Sequence, residues 1–326
     1  MAQNYSGRQF KAGISTADLS SVNLGTATMS GTLHEMRLTS MNDIAFETGF
    51  QRTDYIRTGR RVEAQTDHIN HYGSGTYTWS FDWLCENQAL MHTLLQQICQ
   101  VADASTSAVV SGDLATVDYS HGSSTGDNVL NLVLHSPKST EDRFMHSCHV
   151  QELTISMDAN TNAGRPSMSG TLMSGYKPVV GAEGTSFNAT TPDYSRTIFD
   201  CGTTTVAGDA VVLQAFSITL SNPASRVGQR ATTGETDGYV RGANFDVTGS
   251  LTYKLDDLAM GHIDEYIAGG TTNAIVVSQG SDLHFNIPTA VITGYTPSYA
   301  DEGAMVDVSF KALASADAEL VTVKMT

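Results

Sequence analysis

The sequence predicts an all-β protein made of two tandem, structurally similar antiparallel β-sandwich or half-barrel domains, each with one flanking α-helix. Two observations carry this. The first is repetition. Residues 74–82 read SGTYTWSFD and residues 248–256 read TGSLTYKLD, both on the pattern Ser/Thr, Gly, two variable, Thr, aromatic, variable, apolar, Asp. Upstream, residues 36–42 (MRLTSMN) pair with residues 216–222 (FSITLSN). The first pair is offset by 174 residues and the second by 180, so the 6 extra residues of the first copy fall between the elements, in a loop. The second observation is a hydrophobic period of two, which sets one strand face against a core and leaves the other wet.

The strands follow from that alternation. In 76–82, Tyr77, Trp79 and Phe81 alternate with Thr76, Thr78, Ser80 and Asp82; in 250–256, Leu251, Tyr253 and Leu255 alternate with Ser250, Thr252, Lys254 and Asp256. Segment 152–158 reads the same way with Leu153, Ile155 and Met157 inward, as do 216–221 and 305–311. Half-wet strands of this kind belong to antiparallel sheets. Each copy ends on two strands, around Leu153 and Ser169 in the first and around Val291 and Val308 in the second.

One helix follows each matched strand. Leu84, Met91, Leu94, Leu95 and Ile98 share a helical face in the first copy; Leu258, Ala259, His262, Ile263, Tyr266 and Ile267 share one in the second. Asp256 or Asp257 is placed to cap the second helix and Gly269-Gly270 to stop it. Both apolar faces are expected to cover the dry side of a sheet. The Gly-, Thr-, Ser- and Pro-rich stretch 178–196 lacks periodicity and marks the join, giving domains at 1–180 and 181–326.

At 326 residues the chain is long enough for two cores. Its start is polar, with no signal-peptide core, and no run reaches the ~18 apolar residues of a membrane helix. The four cysteines (Cys85, Cys99, Cys148, Cys201) lack metal-site spacing and are too few for a disulfide scaffold, so they read as reduced thiols. A net charge of −16 argues against binding nucleic acid by neutralising phosphates.

Two long segments break the acidic pattern. Residues 43–72 hold Arg52, Arg57, Arg60 and Arg61, and their counterpart 223–246 holds Arg226, Arg230 and Arg241. Together they contain 7 of the chain's 18 basic residues. They read either as solvated hairpins or as arms that dock on an acidic neighbour.

No catalytic signature is present: no G-x-S-x-G elbow, no HExxH, no P-loop and no dinucleotide glycine motif. No cofactor is implied. His146, Cys148 and His149 are the nearest to a metal set, but on a strand His149 points away from the other two, so a structural role is expected. His68 and His71 read as hairpin surface residues.

Two half-similar β domains, each with a helix and a long hairpin between early strands, resemble the tail tube proteins of bacteriophages with long, non-contractile tails. The paired SGTYTWSFD and TGSLTYKLD strands carry the resemblance, with their helices and the late strands around QELTISMD and MVDVSFKAL. It implies a non-enzymatic virion subunit, assembled in the host cytoplasm. Its partners would be copies of itself in rings stacked into a tube, other tail proteins at the tube ends, and double-stranded DNA in transit without specific binding or any membrane. Single-domain members form hexameric rings, so a duplicated member is expected to form trimers. On this resemblance Asp82, Glu152, Asp256 and Asp307 are candidates to face the lumen, and the seven hairpin arginines are candidates for contacts between rings. The alternative is a soluble or surface-exposed β-sandwich binding module of carbohydrate-binding or adhesin type.

Overall fold

The structure, a computed structural model, describes residues 6–15, 33–52, 68–82, 88–99, 107–111, 118–120, 129–138, 140–181, 187–188, 197–231, 233–241, 244–268, 272–279, 283–300, 303–314 and 319–325. In chain order the strands are β1 (Lys11–Ser15), β2 (Leu33–Met36), β3 (Ala45–Arg52), β4 (His68–Asp82), β5 (Ser107–Ser111), β6 (Asp118–Ser120), β7 (Leu130–His135), β8 (Asp142–Asp158), β9 (Ser167–Ser174), β10 (Val179–Gly181) and β11 (Phe187–Asn188). They continue with β12 (Thr204–Val206), β13 (Asp209–Val211), β14 (Leu213–Ser221), β15 (Ser225–Gln229), β16 (Thr236–Val240), β17 (Asp246–Lys254), β18 (Thr272–Gln279), β19 (Leu283–Ala300), β20 (Gly303–Ala312) and β21 (Glu319–Met325). Helix α1 (Gln88–Cys99) follows β4 and helix α2 (Asp257–Ala268) follows β17. The protein is all-β.

One antiparallel sheet dominates, in the order β3-β4-β9-β8-β14-β17-β20-β19. Its first four strands and its last four follow the same plan: an early strand, the matched strand, a late strand and then the strand that precedes it in the chain. The two groups meet edge to edge where β8 pairs with β14, Glu152 opposite Ser221 through Ala215 opposite Asp158. The long strands β8 and β19 each leave this sheet for a second layer. The first half of β8 pairs with β7 and β10, and β7 continues through β1, β2 and β11. The first part of β19 pairs with β18 and β21, which continue to β12–β13 and β5. Strand β8 turns between layers near Ser147, whose φ of +52° marks the break.

The apolar faces meet between the layers. Leu153, Ile155 and Met157 of β8, Phe216, Ile218 and Leu220 of β14, Leu251 and Tyr253 of β17, and Val306, Val308 and Phe310 of β20 are all buried, as the alternation predicts. One apolar cluster holds residues of both halves, so no gap in the core separates them. Gly249, the glycine of the repeated motif, lies where a Cβ would come within 2.4 Å of both the Phe310 ring and the Ser217 carbonyl oxygen. The motif needs glycine there so that Phe310 can cross the backbone.

Several expectations change. Residues 36–42 are not a strand matching 216–222: Met36 ends β2, Leu38 forms a single bridge, and the strand that pairs with β4 is β3. The 178–196 stretch, read as an aperiodic join, contains β10, paired with β8, and β11, paired with β2. Helix α1 buries Leu94, Leu95 and Ile98 as expected, and Leu90 with them, while Leu84 and the side chain of Met91 lie outside the described residues. Helix α2 does not bury its expected face. Ala259 and His262 are buried, but Leu258, Ile263, Tyr266 and Ile267 are exposed. The Asp256 cap is present, its Oδ1 accepting from the Ala259 N–H at 3.0 Å; Gly269 and Gly270 lie outside the described residues.

Candidate functional site: a polar sheet face and two open edges

The face of the eight-stranded sheet opposite the core is lined by hydroxyls. Ser167, Ser169 and Thr171 of β9 stand beside Ser156, Thr154 and Glu152 of β8, and these beside Ser217, Thr219 and Ser221 of β14. Thr248, Ser250 and Thr252 of β17 follow, then Ser309 and Asp307 of β20. The rows are bonded across strands: Thr154 and Thr219 share a hydrogen bond of 2.9 Å, Ser156 and Ser167 one of 2.8 Å, and Thr252 donates to Asp307. Such a face is small-toothed and wet. Its charged groups are Glu152, Asp158, Asp246 and Asp307 against Lys254 and Lys311, with Lys311 paired to Asp246 at 2.7 Å. The described part is therefore net acidic.

Of the four predicted acidic residues, two come together on this face. Glu152 and Asp307 are both exposed on it, separated by β14 and β17. Asp82 is in β4 opposite Ser167, and its side chain lies outside the described residues. Asp256 is not on the face: it lies past the end of β17 and its carboxylate caps α2. Asp158 and Asp246 were missed, although each stands two-residue steps from a recognised position, Asp158 in step with Glu152 and Asp246 with Ser250.

The arginines divide. Arg57, Arg60 and Arg61 lie outside the described residues, as does the side chain of Arg52 at the end of β3. The second segment does form a hairpin, β15–β16, which gains β6 as a third strand. Arg230 is half-buried at its turn, and Arg226 donates to the Gly234 carbonyl of the same hairpin at 3.2 Å. Arg241 is a correction. It is 6% exposed, and its guanidinium donates to the carbonyls of Val150, Asn222 and Gln97 and to Gln97 Oε1. A side chain committed to internal carbonyls is not free to reach a neighbour's carboxylate.

Arg241 belongs to a polar joint that laces the second half onto α1 and β8. Gln97 Oε1 accepts from the Val150 N–H at 2.6 Å, and Gln97 Nε2 donates to His149 Nδ1 at 2.8 Å. Asn222 Nδ2 donates to the Ile98 carbonyl, one of the orphan carbonyls at the C-terminus of α1. Tyr239 of β16 accepts from the Gly175 N–H at 2.6 Å and donates to the Ser147 carbonyl. Burial lowers the His149 pKa well below its ordinary value and Arg241 adds to this; burial also raises the Cys99 thiol to about 12, against an opposing effect of Arg241. His146 and Cys148 are buried too, with the His146 pKa lowered by burial. In each of these groups burial favours the neutral form. Among the described residues no cluster of His, Cys, Asp and Glu is placed to hold a metal ion.

Among the described residues, β3 pairs only with β4, and residues 296–300 of β19 pair only with β20. An unpaired edge is a template for another strand. The family model for phage tail tube proteins matches residues 21–312, and the chain belongs to that family. It is a structural component of the virion tail tube. No curated protein matches the chain.

Proposed function

We propose that the chain is a duplicated tail tube subunit, with domains at 1–180 and 181–326, whose rings stack into a hollow conduit for viral double-stranded DNA. The observation that carries this is the plan of the main sheet: two four-strand groups of the same order, joined edge to edge, each outer edge unpaired among the described residues. One chain then fills two places of a pseudo-sixfold ring, and three chains close it. The hydroxyl-lined face, with Glu152 and Asp307, lines the lumen, where fixed negative charge repels phosphates and water fills the gap. Arg52, Arg57, Arg60, Arg61, Arg226 and Arg230 hold successive rings together, and other tail proteins cap the tube ends. Electron microscopy of the concentrated protein tests the reading. Tubes of stacked rings are expected, each ring with a mass three times 34.8 kDa. Persistent monomers would favour a binding module instead.

A further inference from the structure

The two halves differ most between the helix and the strand after it. From α2 to β18 the chain needs only residues 269–271, whereas from α1 to β7 it takes residues 100–129. The two strands are equivalent by pairing: β7 is seated on β8 as β18 is on β19. The extra length of the first half contains β5 and β6, and neither stays in its own half. Strand β5 adds to β21, near the C-terminus, with Ala108 opposite Val323, Val109 opposite Thr322 and Val110 opposite Val321. Strand β6 adds to β16 of the second half's hairpin, with Tyr119 opposite Tyr239.

The counterpart of β21 in the first half is β10. Each pairs with the start of a long strand, β10 with Asp142–Phe144 and β21 with Leu283–Asn286. Only β21 receives a further strand: among the described residues β10 pairs with β8 alone. Val180 of β10 is 62% exposed, whereas Val321 and Val323 of β21 are 0% and 1% exposed. The extra length therefore serves the half that follows it. The three residues at the same place in the second half span only ~10 Å and leave no length for such a reach.

We propose that β5 and β6 form a strap that fixes the angle between the two halves and aims the β15–β16 hairpin. The purpose of the strap rests on the tube reading above; its existence rests on the pairings alone. Where β8 meets β14, the sheet could take any twist in the ordinary range of ~10–35° per strand pair. Strand β5 crosses the same boundary in the second layer, and two layers tied at separate places cannot rotate about one seam. The hairpin is clasped in a similar way. Tyr239 accepts from the Gly175 N–H and donates to the Ser147 carbonyl, and β6 pairs with the main chain of that same strand. In a ring of six seams, small differences in angle accumulate. A strap at every second seam gives each chain one curvature before it meets another.

Two variants of the full chain test the strap. In the first, Gly-Ser-Gly replaces residues 101–128, matching the length of the 269–271 link. Hydrogen exchange should quicken at least ~10-fold in peptides covering 236–240 and 319–325, while 213–221 keeps its protection. Tubes of this variant should be uneven in diameter. The second variant, Val109→Cys/Thr322→Cys, places cysteines directly opposite each other, where Cβ atoms ~4.5–5.5 Å apart are within reach of a disulfide. Mild oxidation should link it within one chain, giving a faster monomer band in non-reducing electrophoresis. The out-of-register pair Ser107→Cys/Glu319→Cys should give none. Unchanged exchange in the first variant, or no closure of the 109–322 pair, overturns the strap. Quickened exchange with tubes of uniform diameter overturns its control of the angle. Should the replacement unfold the chain, the disulfide decides. A wild-type chain that forms no tubes at any concentration overturns the tube reading, and exchange and disulfide still decide the strap.

Discussion

Arg241 donates through Nη2 to Oε1 of Gln97 at 3.2 Å, joining the segment that leads into β17 to a helix formed 144 residues earlier. The same guanidinium holds the Val150 and Asn222 carbonyls. Leaving a buried acceptor unsatisfied costs ~1–3 kcal/mol. Arg241→Met keeps much of the apolar stem and removes every donor. It is expected to lower unfolding stability by at least ~2 kcal/mol in denaturant titration. A change below ~0.5 kcal/mol would show that the joint contributes nothing.

Stability should fall as pH drops below neutrality. Gln97 Oε1 is occupied by the Val150 N–H and by Arg241, so its Nε2 must donate to His149 Nδ1. That fixes His149 as the neutral tautomer with the proton on Nε2. Protonation would set two donors face to face beside a buried guanidinium. The native pKa is well below the ordinary ~6.5. Between these values the unfolded chain binds a proton that the folded chain refuses, so stability is full above ~6.5 and is lost as pH falls through that window. His146, with its pKa also lowered, acts in the same direction. Melting temperatures measured from pH 7.5 to 5.5 should decline, and His149→Gln should flatten the decline whatever its absolute stability.

Gly249→Ala should destabilise the second half by overpacking. The added methyl meets the Phe310 ring and the Ser217 carbonyl at 2.4 Å. Overpacking of this kind costs ~1–3 kcal/mol. The double variant Gly249→Ala/Phe310→Leu relieves the ring contact and should recover part of the loss, which a thermal melt would show. A single variant as stable as the wild type would place the methyl in free space.

Replacing Arg57, Arg60 and Arg61 with Ser should leave the subunit folded and impair stacking. Each exposed ion pair contributes only ~0.2–1 kcal/mol, but a ring repeats it several times. Raised salt should act in the same direction, because exposed charges are screened beyond ~10 Å at 0.1 M. Tubes of normal length in the triple variant would return these arginines to the role of solvated hairpin residues.

What the sequence revealed was whatever one strand or one helix encodes by itself. The alternation of Leu153, Ile155 and Met157 against Thr154 and Ser156 is visible in seven letters, and the structure places the three apolar residues inside. What it concealed depends on partners far along the chain. MRLTSMN resembles FSITLSN in letters, yet only the latter is seated between two strands, β8 and β17. Arg241 looks like any hairpin arginine until Gln97 and Asn222 are brought to it. The apolar face of α2 reads the same as that of α1 because amphipathic spacing says which side is apolar and not whether anything covers it.

The hydroxyl rows have one further consequence. Within the hydroxyl rows, a step of two residues along a strand, ~6.7 Å, or of one strand across, ~4.8 Å, carries serine or threonine onto serine or threonine, as from Ser156 to Thr154 or to Ser217. These side chains exchange donor for acceptor by rotating about a single bond. Between its few charged groups, such a surface would offer a moving polyanion no landmark: one hydroxyl position resembles the next. If this face lines the proposed conduit, smooth travel is a property of monotony, in which no base sequence has a reason to pause.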